Sequence, residues 1–88
     1  MAVSKEAIIQ LESGVHAKPA ADFVQLANRF PCKITITKDE KTVNGKSIMG
    51  LMMLALTKGS KITITADGEK EGEALSELVR FVENNFTV

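Results

Sequence analysis

The sequence predicts an α+β fold. This is an open-faced two-layer sandwich, with three helices on one face of a four-stranded antiparallel sheet, in the order β-α-β-β-α-β-α. Three observations predict it. The pentapeptide KITIT stands twice, at 33–37 and 61–65, and alternates apolar with polar residues as half-buried strands do. Other stretches repeat their apolar residues at the helical period instead. The changes of period fall at turn signals such as Ser13-Gly14, Asp39-Glu40 and Asp67-Gly68.

Taken in chain order, KEAIIQLE at 5–12 alternates, with Ala7, Ile9 and Leu11 on one side, and predicts the first strand. From Ala17 the period changes. Ala20, Val24 and Ala27 form a stripe flanked by Phe23 and Phe30, which predicts a helix ending near Phe30-Pro31, where proline forbids continuation. The first KITIT is the second strand, and Lys41–Asn44 returns beside it as a short third strand. Ser47 opens a second helix over SIMGLMMLAL. The second KITIT is the fourth strand. A last helix covers about 70–84, with Glu71 and Glu73 where the helix dipole favours acids, and with Leu75, Leu78, Val79, Val82 and Phe86 as its apolar stripe. The sheet face rich in Thr and Lys is expected to meet water. Five shared residues are too few for an internal repeat, and common strand chemistry accounts for them.

Length and composition narrow the functional classes. The 88 residues suggest one domain, 1–88. A chain of this size buries roughly 60–70% of its unfolded surface, which leaves little room for a deep enclosed active site. The zero formal net charge argues against nucleic acid or an anionic membrane as partner, since both favour a basic excess. No apolar run approaches the ~20 residues of a membrane span. The start, MAVSKEAIIQ, lacks the apolar segment of a signal peptide, and the one cysteine, Cys32, has no internal disulfide partner, so a cytoplasmic location is expected. Cys32, between Pro31 and Lys33, has no nearby base and reads as a small filler at a strand start. Asn85-Phe86-Thr87 matches a glycosylation acceptor, a chance match in a cytoplasmic protein.

Two helix starts carry the candidate chemistry. His16, the only histidine, precedes Ala17-Lys18-Pro19, a tripeptide suited to a first helical turn because proline is tolerated there. Backbone N–H groups and the positive end of the helix dipole therefore face His16, favouring a neutral, nucleophilic ring and forming a cradle for a phosphoryl group. Lys18 adds a cation. Together these suit transient phosphorylation of the imidazole, although the spacing alone favours an idle exposed histidine over a working one. With no second histidine and no cysteine at ligand spacing, no metal or cofactor is expected. Ser47 is a preferred N-cap residue, and Asn44-Gly45-Lys46 before it reads as a flexible turn. A nucleotide-binding loop is ruled out because Glu40 stands where its first glycine is required. The helix after Ser47 is apolar on two faces, Ile48, Leu51, Met52 and Ala55 on one and Met49, Met53 and Leu56 on the other. A helix in a two-layer fold buries one face, so part of this set is expected to remain exposed as a docking surface, with full burial as the alternative.

The stretch GVHAKPA resembles the active-site motif of HPr, the histidine-containing phosphocarrier family of the bacterial sugar phosphotransferase system, and KTVNGKSIMGLMMLAL resembles the regulatory serine region of its Gram-positive members. The resemblance covers essentially the whole chain. It implies that His16 accepts a phosphoryl group on Nδ1 from phosphorylated enzyme I and passes it to the enzyme IIA domain of a sugar transporter. The backbone N–H groups of Ala17 and Lys18 would help to hold that group. The resemblance further implies that Ser47 is the target of an ATP-dependent HPr kinase/phosphorylase. The phosphoserine form would oppose transfer and bind the catabolite control repressor, and Ile48, Met49 and Met52 would contribute to docking. The family usually has arginine where this chain has Lys18, which keeps the charge but loses the planar fork. Gly45 stands where a larger apolar residue is common. FVQLANRF and KSIMGLM are particularly similar to Crh, an HPr-like regulator that works through the serine alone.

Overall fold

The computed structural model describes residues 1–87, which form seven elements in the expected order. They are β1 (Val3–Ile8), α1 (Ala17–Ala27), β2 (Lys33–Lys38), β3 (Lys41–Asn44), α2 (Ile48–Met53), β4 (Lys61–Asp67) and α3 (Glu71–Glu83). The sheet order is β1-β4-β2-β3, with antiparallel pairing throughout. The two KITIT strands are therefore neighbours. Their register sets Ile36 opposite Ile64 and Thr35 opposite Thr65. Because side chains alternate across a strand, this register sends all the isoleucines to one face and the threonines to the other. On the open face, Ser4 and Thr65 share a hydroxyl hydrogen bond of 2.9 Å, as do Thr37 and Thr42.

The inner face carries the helices. Ala7, Ile9, Ile34, Ile36, Ile62, Ile64 and Ala66 are buried beneath α1 residues Ala20, Phe23, Val24 and Ala27 and α3 residues Ala74, Leu78, Val79, Phe81 and Val82. Each fully buried large side chain contributes about 1.5–3 kcal/mol of hydrophobic stabilisation. Phe23, Phe81 and Phe86 form a tilted aromatic trio with ring centroids 5.5–6.5 Å apart. Cys32 is buried as the expected filler. Among the described residues no helix is long and apolar enough to cross a membrane.

The boundaries depart from expectation where distant backbone decides them. β1 begins at Val3 and ends at Ile8, because the next residues bond outside the ladder, Ile9 N–H donating to the Ser60 carbonyl and Gly59 N–H to the Ile9 carbonyl. α1 ends at Ala27 rather than near Phe30. Its chain tightens through Arg29 N–H to Leu26 and Phe30 N–H to Ala27, which still buries Phe30. α2 is shorter than the stretch that predicts it. Lys38 on β2 donates through Nζ to the carbonyls of Leu54 and Ala55, each at 3.2 Å, and Ala55 turns left-handed at φ 52°. Leu54 and Leu56 then enter the core from outside the helix. Near the start of α3, Leu75 is only half-buried, and past its end Phe86 lies beyond the helix, folded back by its N–H bond to the Phe81 carbonyl at 2.8 Å.

Candidate functional site

The approach to α1 is built by a glycine. Gly14 adopts φ +75°, and a Cβ there would lie 2.8 Å from the Leu56 carbonyl oxygen, so glycine suits the position both by conformation and by space. Val15 is buried and its N–H donates to the Leu56 carbonyl at 2.9 Å. With the chain pinned there, the following residue must emerge. His16 is exposed and occupies the N-cap position of α1 in extended conformation, φ −102° and ψ −163°. Its side chain makes no capping hydrogen bond, while its carbonyl accepts from Ala20 N–H at 3.0 Å. That bond is the first of the helix, so the N–H groups of Ala17 and Lys18 project from the helix end and Pro19 has none to satisfy. The result is an exposed imidazole beside two backbone donors and the positive end of an 11-residue helix.

Lys18 is placed differently from the sequence expectation of a cation serving His16. Its ammonium lies 3.1 and 3.4 Å from the two carboxylate oxygens of Asp22, one turn further into α1. Asp22 was not among the residues the sequence singled out. The signal was available in the Lys-x-x-x-Asp spacing, which places the two on one helix face.

Ser47 is the N-cap of α2, and its Oγ accepts from Gly50 N–H at 3.0 Å. The turn before it is tied down, where the sequence suggested flexibility. Asn44 Oδ1 accepts from Lys46 N–H at 2.9 Å, Gly45 N–H donates to Ile34 at 2.8 Å, and Lys46 Nζ donates to the Phe30 carbonyl at 2.6 Å. A Cβ on Gly45 would meet Ile34 Cγ2 at 2.5 Å, so a larger residue there requires Ile34 to move. Within α2 only Leu51 is buried. Ile48, Met49, Met52 and Met53 are exposed by 40%, 70%, 43% and 71% of their surfaces, which decides for the exposed alternative. α1 packs against α2, and the loop carrying His16 hangs on Leu56, just beyond the C-terminal end of α2.

The frame that carries these two helix starts is the open-faced β-α-β-β-α-β-α sandwich of the histidine phosphocarriers. Residues 3–84 match the family model described as the PTS HPr component phosphorylation site. The chain is 52% identical to the HPr-like protein Crh of Halalkalibacterium halodurans over 92% of this chain and 96% of the relative. It is 45% identical to the phosphocarrier protein HPr of Borreliella burgdorferi over 93% of this chain and 95% of that protein. The crystal structure of HPr from Bacillus anthracis superposes with a TM-score of 0.88 at 53% identity, covering 92% of this chain and 96% of that one. The chain belongs to the HPr family of the phosphotransferase system.

Proposed function

We propose that the protein is a phosphocarrier that works through His16 and is regulated at Ser47. The observation that carries this reading is the exposed His16 ring, unengaged as a cap, at a helix end where the N–H groups of Ala17 and Lys18 face outward. In the transfer step the lone pair of Nδ1 attacks the phosphorus presented by phosphorylated enzyme I. The N–P bond forms as the donor's bond to phosphorus breaks, and the bonding pair returns to the donor. The backbone donors and helix dipole stabilise the phosphoryl oxygens without reorganising. The second transfer reverses the step toward an enzyme IIA domain. The protein is thus a carrier consumed and regenerated in each cycle, not a catalyst.

Ser47 is the site for an HPr kinase/phosphorylase. A phosphate there adds roughly −2 charge beside the exposed Ile48, Met49 and Met52, weakening an apolar interface with an acidic partner and offering a new contact to a catabolite control repressor. A second reading has a specific support. Similarity to Crh, together with the formed Ser47 cap and apolar patch, favours a regulator acting through phosphorylated Ser47 as corepressor.

One experiment separates the two. The protein is incubated with enzyme I and labelled phosphoenolpyruvate, and separately with the kinase and labelled ATP. The carrier takes an acid-labile, base-stable label in the first reaction, lost only in His16→Ala, and an acid-stable label in the second, lost only in Ser47→Ala. A wild-type protein that stays unlabelled by enzyme I while Ser47 is labelled efficiently establishes the regulator instead.

A further inference from the structure

The Lys18–Asp22 pair runs against two tendencies of a helix. Side chains in a helix tilt toward its N-terminus, so an unconstrained Lys18 leans toward His16. The ammonium is instead held on the Asp22 carboxylate, whose Cα lies about 6 Å further along the axis, away from His16. A cation in the first turn also sits at the positive end of the dipole, and the first turn of α1 contains no acid to offset it. In the resting protein both Asp22 and the dipole therefore draw the ammonium away from the imidazole. A phosphoryl dianion on His16 reverses the sign of the field at that end.

The geometry points to Asp22 as a positioning residue for the His16 site, one that holds Lys18 in reserve and releases it to the phosphoryl group. This inference rests on the phosphocarrier reading of His16. The pair is suited to exchange because it is open to water, with the Lys18 side chain 79% exposed and that of Asp22 36%. Exposed i,i+4 pairs are weak and readily broken. The order is also the less favourable one, cation before anion along the helix. A charge-assisted bond to a dianionic phosphoryl group, beside the N–H groups of Ala17 and Lys18, outcompetes it. Lysine fits this role through its single mobile charge on a flexible stem, whereas a planar guanidinium would lock onto the carboxylate in a fork.

The test is a double-substitution cycle. Wild type, Asp22→Asn, Lys18→Ala and the double variant are phosphorylated by enzyme I with labelled phosphoenolpyruvate, and kcat and KM for each are measured with the variant as the substrate of enzyme I. Asp22→Asn is expected to raise kcat about two-fold, the weight of an exposed helical ion pair, with KM unchanged. The gain should vanish in the Lys18→Ala background, and Asp22→Glu should retain the wild-type rate. An unchanged kcat in Asp22→Asn overturns the proposal. So does a gain that persists without Lys18, and so does an effect confined to KM, which would make Asp22 a docking charge. If wild type takes no label at all, the His16 reading falls and this one with it. A labelled wild type with an indifferent Asp22 overturns only the role of Asp22.

Discussion

The starts of α1 and α2 are two solutions to one problem. Each helix begins with N–H groups that have no partner inside the helix. At α2 the Ser47 hydroxyl takes one of them, from Gly50 at 3.0 Å, and the start is closed. At α1 the residue in the same position is His16, whose ring takes none, and the start is left open. The closed start belongs to a helix of six residues whose exposed side is apolar, and the open one to a helix of 11 residues packed on the core. The comparison teaches that an unsatisfied helix start is tolerated where tertiary packing holds the helix, and that the freed donors then become available to a ligand.

The sharpest way to break the contrast is to close the open start. His16→Ser should abolish labelling by enzyme I completely. Its hydroxyl can also cap Lys18 N–H, and it should stabilise the fold by about 0.5 kcal/mol, read by thermal denaturation. A drop in stability would show that His16 already serves the helix. The next largest effect concerns the anchor. Gly14→Ala forces a Cβ toward the Leu56 carbonyl at a left-handed position and should cost about 1–3 kcal/mol in urea unfolding. It should also slow His16 labelling, because Val15 and His16 follow directly. Opening the closed start is milder. Ser47→Ala should cost about 1 kcal/mol and remove ATP-dependent labelling while leaving the label on His16 intact. The smallest change in stability is expected from Met49→Ser, within about 0.5 kcal/mol, since the side chain is largely exposed. Its affinity for enzyme I, measured by calorimetry, should nevertheless fall, and an unchanged affinity would remove Met49 from the docking surface.

Much of this was legible in the residues themselves. The KITIT alternation located two strands and their inner faces, and the Ala20, Val24, Ala27 stripe located α1 and what it buries. His16 and Ser47 stand at helix starts because Pro19 and serine have local reasons to be there. Asp22 was legible in principle, since the i,i+4 spacing is local, but a carboxylate on an exposed helix face has no pattern that marks it for a role. Phe81 fell outside the stripe assigned to α3 because α3 also packs against the Phe23 and Phe86 rings, which widens its buried face.

By itself the sequence determined the order of elements, the apolar face of each strand and the residue types at both helix starts, because these follow from periodicity and from the chemistry of neighbouring residues. Only the tertiary structure decided that the two KITIT strands pair with each other and that α2 stops at Met53 under the Lys38 ammonium. Only it showed that Leu56 pins the loop before His16 and that the charge on Lys18 rests on Asp22. All but the last of these join residues far apart in the chain. The last depends on which of several rotamers a flexible side chain adopts, and no local preference specifies that.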